Sequence, residues 1–383
     1  MVQKICRCCG AEIKDNPILS YSDMPGMAQN FPDETELERD HGVDLDLYQC
    51  PYCGMIQIVD EPVPYYKDVI RASAVSDEMK VYRRTYFKDF VDKYHLQGKK
   101  VIEIGSGKGE FLSLMNEAGV EGYGVEHCQE NVEACTEKGL NVQQGYMDCV
   151  GTLLENAPFE GFFIMNFLEH APNPNDFLKA IYENLAEGAI GLVEVPNTDF
   201  ILENLMFSEF ITDHLLYFTE NTLRILLEKN GFEVLECNVV WHNYCLAAIV
   251  RKKKILKLGQ FYERQDKITK EIQSFVNRYD RVAVWGAGHQ ALAVIALTGI
   301  KDQIRFVVDS ASFKQNKYTP GTHLKIVAPE QIRLEKIDAV LVMAASYSDE
   351  VAQIITDQYP NVKIAILREE QLEYIQNLLS FCS

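Results

Sequence analysis

Apolar residues are spaced differently in three stretches of the chain. Residues 1 to about 61 are polar and rich in turns, with no helical period. From about residue 63 to 251, short apolar runs such as 162–167 and 190–195 alternate with segments such as 79–94, where apolar residues recur three and four positions apart. Such runs are typical of buried parallel strands between amphipathic helices. The alternation predicts a doubly wound α/β sheet.

The pattern also predicts where the domains divide. A basic run at 251–254 and a long polar helix follow the second stretch, and strand-like runs then restart at residue 281. We predict an N-terminal module at 1–62, an α/β domain at 63–251, a linking helix at 252–280 and a smaller Rossmann-like domain at 281–383. The segments 232–238 and 246–251 are expected to form an antiparallel pair at the end of the first α/β sheet.

Composition and charge narrow the possible partners. The 383 residues are 47% hydrophobic, which is enough to build packed cores, and their formal net charge is -19. So acidic a surface argues against nucleic acid or an anionic membrane as the main partner. No apolar leader is visible at the start, and no apolar run reaches the ~18 residues that span a bilayer. We expect a cytoplasmic protein, and the sequence does not predict its oligomeric state.

Two cysteine pairs mark the N-terminal module as a metal site. Cys6 and Cys9, like Cys50 and Cys53, are separated by two residues, and a glycine follows each pair. Two such knuckles supply the four thiolates of a tetrahedral zinc site, which would staple a segment with little core of its own. Cys8 lies inside the first knuckle and makes the choice ambiguous; the matching glycines favour Cys6 and Cys9. Four ordinary buried thiols are the alternative.

A glycine-rich turn follows the first strand of the α/β domain. Gly105, Ser106 and Gly107 follow the strand at 101–104, which carries Glu103, and the next strand ends on Glu126. Glycines allow a ligand to approach the backbone closely, and an acid at the end of the second strand can accept both ribose hydroxyls. The spacing differs from the dinucleotide fingerprint. We therefore predict a class I methyltransferase site for S-adenosylmethionine, in preference to NAD.

Later strands are expected to add residues to the same edge. We predict that Gln144 and Asn166 contact the cofactor. The segment 168–170 reads Leu-Glu-His, a frequent ending of the fourth strand in class I methyltransferases, and places His170 near the cofactor. Methyl transfer to oxygen, nitrogen or carbon usually requires loss of a proton, and histidine is the commonest base. A structural residue lining the site is the alternative for His170.

The loop at 207–219 holds a second candidate base. His214 lies after the fifth strand, at the carboxyl edge where ligands bind, and Asp213 precedes it. The acid could raise the basicity of the histidine or orient nearby groups. Adjacent side chains often point apart, however, so a purely structural pair is the alternative.

The smaller Rossmann-like domain raises the question of a second nucleotide. Its glycine turn at 286–291 is followed by a strand ending on Asp309, a spacing that would suit NAD. Alanine replaces the third glycine of that fingerprint. We favour a domain that binds no dinucleotide.

Taken together, these motifs resemble the zinc-containing sugar C-methyltransferases of deoxysugar biosynthesis. The resemblance covers the whole chain and is closest at 50–57 and at 306–323. It implies methylation at C3 of a nucleotide-linked 4-keto sugar, with His214 as the base and Asp213 in place of an active-site glutamate. Ile211 and Thr212 depart from the tyrosine and histidine of the family stretch, which leaves the sugar and the accepting atom open.

The prediction is an α/β enzyme: a zinc-binding module, a class I methyltransferase domain and a C-terminal Rossmann-like domain. Zinc and S-adenosylmethionine are the predicted cofactors, and a nucleotide-linked sugar is the substrate. His214 would take the proton next to the C4 ketone. His170, Asn197, Thr212 and Tyr217 are predicted to contact the sugar, some of them as donors to the enolate oxygen. Methylation at oxygen or nitrogen, and a non-catalytic S-adenosylmethionine-binding protein, are the alternatives.

Overall fold

The protein is described by a computed structural model over residues 4–29, 31–67, 76–369 and 371–375. The chain forms two compact units, Met1–Ile255 and Leu256–Ser383. The predicted divisions after residues 62, 251 and 280 remain predictions.

The first unit contains eleven strands and six α-helices within its described residues. The strands are β1 (Leu19–Met24), β2 (Val43–Gln49), β3 (Ile56–Gln57), β4 (Lys100–Ile104), β5 (Glu121–Glu126), β6 (Asn141–Gln144), β7 (Phe159–Met165), β8 (Leu185–Pro196), β9 (Leu216–Tyr217), β10 (Phe232–Val240) and β11 (Cys245–Lys252). The helices are α1 (Asp77–Lys93), α2 (Glu110–Glu117), α3 (Gln129–Glu137), α4 (Pro174–Glu183), α5 (Thr198–Glu203) and α6 (Glu220–Lys229).

Seven of these strands form the central sheet, in the order β10-β11-β8-β7-β4-β5-β6. Strands β4 to β8 are parallel, and β11 and β10 complete the sheet as an antiparallel edge pair. This is the predicted class I methyltransferase fold, and the prediction is confirmed. The carboxyl ends of the parallel strands, where ligands bind in such sheets, lie along one edge.

Local sequence signals explain where helices beside this edge begin. Ser76 caps α1 by accepting a hydrogen bond from the Met79 N–H at 3.1 Å. Thr219 and Thr222 form a reciprocal capping box at the start of α6. These caps satisfy backbone donors that have no partner within their helices.

The N-terminal segment is more ordered than its polar composition suggests. Strands β1, β2 and β3 form an antiparallel sheet with β9, which comes from the α/β domain. Leu45, Leu47 and Met55 are buried and belong to the same hydrophobic core as the central sheet. The segment therefore has core residues, but they are buried against the domain that follows.

The second unit contains a single described sheet. Its elements are α7 (Gly259–Val276), β12 (Val282–Trp285), α8 (His289–Thr298), β13 (Ile304–Val308), β14 (Ile326–Val327), α9 (Gln331–Leu334), β15 (Ala339–Val342), α10 (Ser348–Gln358), β16 (Lys363–Leu367) and β17 (Leu372–Ile375). The strand order is β14-β13-β12-β15-β16-β17, parallel except for β17. The predicted Rossmann-like arrangement is present. Across both units, the described helices are too short or too polar to cross a bilayer.

Candidate active site and metal centre

The four predicted zinc ligands come together in the first unit. The sulfur atoms of Cys6, Cys9, Cys50 and Cys53 all lie within 4.8 Å of one another. Both knuckles have the same backbone hydrogen bond, from the N–H of the glycine after the pair to the carbonyl of the first cysteine, at 2.9 Å. Both glycines have a positive φ, +81° and +79°. The predicted need for glycine after each pair is therefore met.

The chemistry of this sulfur group suits zinc. Zinc binds four thiolates at about 2.3 Å, which places neighbouring sulfurs about 3.8 Å apart. Here the Cys6 and Cys53 sulfurs are 3.6 Å apart, and the Cys9 and Cys50 sulfurs are 3.5 Å apart. The hydrogen bond from Cys53 lowers the pKa of Cys6 and stabilises its thiolate, while the same contact raises the pKa of Cys53, so the two sulfurs share one proton in the absence of a metal. Cys8 is fully buried, and its sulfur is not part of the group of four.

The glycine turn after β4 leaves room for a ligand on one side. Gly107 has φ +53°, and a Cβ placed there would meet no atom within 4 Å. At Gly109, a Cβ would meet the Leu140 side chain at 2.3 Å, so that side of the turn is filled. Ser106 is buried, and its hydroxyl donates to the Val125 carbonyl at 3.3 Å. The open side at Gly107 fits the close approach that the sequence predicted.

Glu126 ends β5 directly beside this turn. Its carboxylate accepts the Gly107 N–H at 2.8 Å and the Cys128 N–H at 3.0 Å, and the Asn131 amide lies at 3.4 Å. A carboxylate can accept about four hydrogen bonds, so further donors can be accommodated. The turn and the acid are thus one rigid unit.

A small cavity of about 10 Å³ adjoins Glu126. Gly105 and Glu126 line one side of it, and the aromatic rings of Tyr146 and Phe167 line another. The Tyr146 hydroxyl is buried and has no hydrogen-bond partner among the described residues. Lys67 also lines the cavity and pairs with Asp148 at 2.6 Å. The sequence analysis missed Tyr146 and Lys67; the position of Tyr146, just after the end of β6, was the available signal.

The other predicted cofactor residues lie near the same sheet edge. Glu103 is buried on β4, and Gln144 ends β6 with an exposed side chain that donates to the His127 carbonyl at 3.2 Å. Asn166 follows β7 with φ +51°, and its backbone N–H donates to the Glu194 carbonyl at 2.8 Å. Its side-chain amide donates to the Glu194 carboxylate at 3.4 Å. Asn166 is thus bound to the neighbouring strand on two sides.

His170 is held in one orientation by the loop that carries His214. Its Nδ1 lies 2.8 Å from the carbonyl oxygen of Asp213. A carbonyl only accepts, so this nitrogen carries the proton and Nε2 is left with its lone pair. The His170 and His214 rings are 4.8 Å apart, edge to face. The two predicted histidines therefore form one site.

Burial keeps both imidazoles neutral. Burial lowers the pKa of His170. Burial also lowers the pKa of His214 to about 3, with a smaller contribution from the neighbouring His170 ring. At neutral pH His214 is unprotonated and can accept a proton.

Glu169 completes this cluster and was not among the predicted site residues. Its carboxylate and the two imidazoles each offer an atom within 4.8 Å of the others, and Glu169 Oε1 is 3.9 Å from His170 Nε2. The side chain is fully buried, and burial raises its pKa to about 8. Glu169 belongs to the Leu-Glu-His motif, but the burial of its carboxylate is a result of tertiary packing and could not be predicted from the motif.

The carboxylate of Asp213 binds the N-terminal segment. It accepts the Tyr65 hydroxyl at 2.8 Å and the Ala28 N–H at 2.9 Å, and Asp213 is buried. Burial and this hydrogen bond raise the pKa of Tyr65 to about 12. Thr212 donates its hydroxyl to the Gly26 carbonyl at 3.0 Å. This geometry fits a loop anchor, and Tyr65 is a further residue that the sequence analysis missed.

Two other predicted substrate contacts use their polar groups within the protein. Asn197 caps α5 by accepting the Phe200 N–H, and its amide donates to the Asn243 carbonyl at 2.9 Å. The Tyr217 hydroxyl donates to the Ile211 carbonyl at 3.0 Å and lies 2.9 Å from the Ile211 N–H. Both side chains fix the loops around the histidines.

The second unit also has an acidic residue, Asp309, bound to a glycine turn, but this carboxylate is paired with a lysine. Asp309 accepts the Ala287 N–H from the glycine turn and the Ala311 N–H, both at 2.9 Å. Lys314 pairs with the same carboxylate at 2.8 Å. Hydrogen bonds from these groups hold the Asp309 pKa below its usual range against the opposing effect of burial. Both carboxylate oxygens of Asp309 are therefore bound within the second unit.

Two protein families match successive parts of the chain. Residues 79–237 match a family described as a methyltransferase domain, and residues 253–372 match one described as a C-methyltransferase C-terminal domain. The chain is also 24% identical over 383 residues to the C-methyltransferase NovU of Streptomyces niveus, covering 90% of each chain.

Solved methyltransferase structures resemble parts of the chain. One is an S-adenosylmethionine-dependent methyltransferase of Clostridium acetobutylicum, with 14% identity, 49% of this chain and 96% of that chain covered, and a TM-score of 0.39. Another is the CurJ carbon methyltransferase, with 18% identity, coverages of 48% and 56%, and a TM-score of 0.38. The matching families and the curated relative confirm the predicted enzyme class and the resemblance to C-methyltransferases.

Proposed function

We propose that this chain, an S-adenosylmethionine-dependent methyltransferase homologous to a C-methyltransferase over 90% of its length, methylates a carbon atom of a nucleotide-linked keto sugar. The observation that carries the proposal is the pair of neutral histidines at the carboxyl edge of the sheet that holds the glycine turn. A carbon beside a ketone becomes a nucleophile once a base removes its proton. The sugar and its nucleotide rest on the sequence resemblance.

In this proposal, His214 is the general base. Its neutral imidazole accepts the proton of the carbon next to the ketone, and the resulting enolate carbon attacks the methyl group. His170 is the second candidate base, because its Nε2 also has a lone pair; its Nδ1–H is bound to the Asp213 carbonyl, which fixes the orientation of the ring. It shapes the site and presents its Nε2 lone pair to the substrate. S-adenosylmethionine supplies an activated methyl group, so the protein mainly aligns the two reactants and excludes water.

The cofactor would be held by the turn and the strand ends. We assign the ribose hydroxyls to Glu126, the methionine portion to Glu103 and the backbone at Gly105 and Gly107, and the adenine to the aromatic rings of Tyr146 and Phe167. Ser106, Gln144 and Asn166 support these positions. The open side of Gly107 and the aromatic lining of the cavity favour this assignment.

Replacing Glu126 with alanine is expected to weaken S-adenosylmethionine binding by about 1.5–3 kcal/mol, since hydrogen bonds to a charged group are lost. Isothermal titration calorimetry measures the change. Asp309→Ala is the matched control, because Asp309 also ends a second strand and binds a glycine turn, but it is paired with Lys314. It should leave the affinity unchanged. Equal affinities of the wild type and Glu126→Ala would remove Glu126 from the site.

The reaction itself is tested by mass spectrometry of products. The wild type is incubated with S-adenosylmethionine and a panel of nucleotide-linked sugars, with and without a ketone. We expect a methyl gain only on keto sugars, and exchange of the adjacent C–H proton in deuterated water. Methyl gain on a sugar without a ketone, with no exchange, would instead support methylation at oxygen or nitrogen. Ile211 and Thr212 replace the tyrosine and histidine of the resembling family stretch, and this difference is the reason for testing methylation at oxygen or nitrogen.

We further propose that Cys6, Cys9, Cys50 and Cys53 bind one zinc ion, with a structural role. The closed set of four thiols leaves no position for a substrate. A cytoplasmic location remains a prediction from the sequence.

A further inference from the structure

The enolate formed in the proposed reaction needs a hydrogen-bond donor at its oxygen. Developing negative charge in a buried site is stabilised by donors that are already in place. The sequence suggested Thr212, Tyr217 and Asn197 for this purpose. In the structure, however, each of them donates to a backbone carbonyl, at Gly26, Ile211 and Asn243. The donor must therefore be sought elsewhere in the histidine cluster.

Glu169 is a polar side chain of that cluster with unused hydrogen-bonding capacity. Its Oε2 atom is buried without a partner among the described residues, and its Oε1 atom is 3.9 Å from His170 Nε2, too far for a good hydrogen bond. It lies within the same 4.8 Å group as the His214 imidazole. An ionised carboxylate in this position would have no donor at Oε2 among the described residues, whereas a protonated one is neutral.

From this geometry, we propose that Glu169 is a neutral carboxylic acid that donates a hydrogen bond to the ketone oxygen of the substrate and stabilises the enolate. The inference rests on the proposed function. His214 removes the proton from carbon, the C–H electron pair forms the new carbon–carbon double bond, and the carbonyl π electrons move to oxygen. The O–H of Glu169 binds that oxygen. The enolate carbon then forms the bond to the methyl group as the methyl–sulfur bond breaks, the proton stays on His214, and Glu169 keeps its own.

The groups around Glu169 favour its neutral form. Glu194 contributes a nearby negative charge, although Arg83 binds Glu194 in a fully buried pair. Tyr244 and Cys245 on the β11 side are neutral, with pKa values raised by burial. His170 and His214 are also neutral, so neither imidazole of the cluster offers Glu169 a positive charge. Burial, and to a smaller extent the charge of Glu194, raise the pKa of Glu169 to about 8 against the opposing effect of a hydrogen bond from its own backbone N–H.

This role predicts a particular dependence on pH. A donor must be protonated, so activity should be retained below the raised pKa and lost as pH rises through about 8. A glutamate acting as a base would show the opposite slope, with activity rising through the same range. The alkaline limb of kcat/KM, which reports ionisation in the free enzyme, distinguishes the two.

The test compares Glu169→Gln and Glu169→Leu with the wild type. Proton exchange at carbon is followed by NMR in deuterated water without S-adenosylmethionine, on the keto sugar that the wild type methylates. The leucine variant removes the donor and should slow exchange about 10²–10³-fold. The glutamine variant keeps an N–H donor and should be slowed less, and its alkaline limb should disappear. Glu203→Gln, at an exposed position, is the matched control and should behave like the wild type.

Infrared spectroscopy gives a second measurement that needs no substrate. The wild type should show a carbonyl band of a protonated carboxylic acid at pH 7, which fades above pH 8 and is absent from Glu169→Gln. Wild-type exchange in the leucine variant, or no protonated-acid band from Glu169, would overturn the proposal. Equal loss of exchange in both variants, with activity rising through pH 8 in the wild type, would make Glu169 a base. Absence of exchange in the wild type itself would overturn the proposed function together with the enolate role, whatever the infrared band shows.

Discussion

Replacing His214 with alanine is expected to slow methyl transfer about 10²–10⁴-fold, the usual contribution of a general base. The neutral imidazole lies 4.8 Å from the His170 ring, and alanine offers nothing that could take the substrate proton. S-adenosylmethionine affinity should be nearly unchanged, because the glycine turn and Glu126 do not depend on this loop. Single-turnover rates and calorimetry on the same variant separate these two effects.

Two further variants sharpen the test of His214. Glutamine can donate and accept hydrogen bonds but cannot hold a proton at neutral pH, so His214→Gln should be nearly as slow as alanine. His41→Ala, at an exposed position in the N-terminal segment, is the matched control. If the alanine variant kept a near-wild-type rate and still exchanged the substrate proton, His214 would not be the base, and His170 would become the candidate.

The fall of kcat/KM at low pH also tests whether His214 is the base. The pKa of His214 is lowered to about 3, so in the free enzyme the base is lost only when pH falls toward that value. A limb of kcat/KM near pH 6.5 would require a histidine with an ordinary pKa. Substrate binding can shift the pKa of His214 again, and the pH dependence of kcat reports the pKa in the enzyme–substrate complex.

Much of the fold could be predicted because its signals are local. The apolar run at 162–167 overlaps the central parallel strand β7, which ends at Met165, and the run at 190–195 lies within β8, since a strand covered on both faces has few polar positions. The glycine turn was recognisable because its conformation requires glycine, as the φ of +53° at Gly107 shows. The N-terminal strands were missed because the face they bury packs on residues far along the chain, such as those of β9.

The sequence predicted where the site lies in the fold, but it did not predict the hydrogen-bond partners of each side chain. Asp213 was expected to act beside His214, yet its carboxylate binds Ala28 and Tyr65, which lie 185 and 148 residues away in sequence. No local pattern reveals such partners. Glu169 was visible in a motif, but only the packing shows that its Oε2 atom has no hydrogen-bond partner among the described residues. Local sequence indicates which residues reach the edge, and tertiary contacts decide which of them remain available.

Replacing Cys50 with serine is expected to abolish stoichiometric zinc binding and to unfold the N-terminal sheet. Structural zinc sites bind with about 10–16 kcal/mol in small peptides, and that energy is part of folding. Metal analysis should give one zinc per wild-type chain and little in the variant, and scanning calorimetry should show a lower melting temperature. Cys8→Ala is the matched control, since the Cys8 sulfur lies outside the group of four. It should retain one zinc. A zinc-free wild type that stayed fully folded would contradict the prediction.

Loss of zinc should also disturb the loop that carries His214, because the sheet stabilised by the metal includes β9, which follows this loop. Gln57 on β3 donates to the Cys6 sulfur at 3.2 Å and is paired in register with Leu216 on β9, two residues after His214. The Ile58 N–H donates to the Leu215 carbonyl at 3.0 Å, which extends this pairing toward His214. A chelated or Cys50→Ser protein should therefore lose proton exchange at the sugar carbon before it loses S-adenosylmethionine affinity, because Glu126 ends β5, a strand of the central sheet that does not pair with β3 or β9. Exchange and calorimetry after stepwise chelation give that order directly, and simultaneous loss of both activities would indicate general unfolding instead.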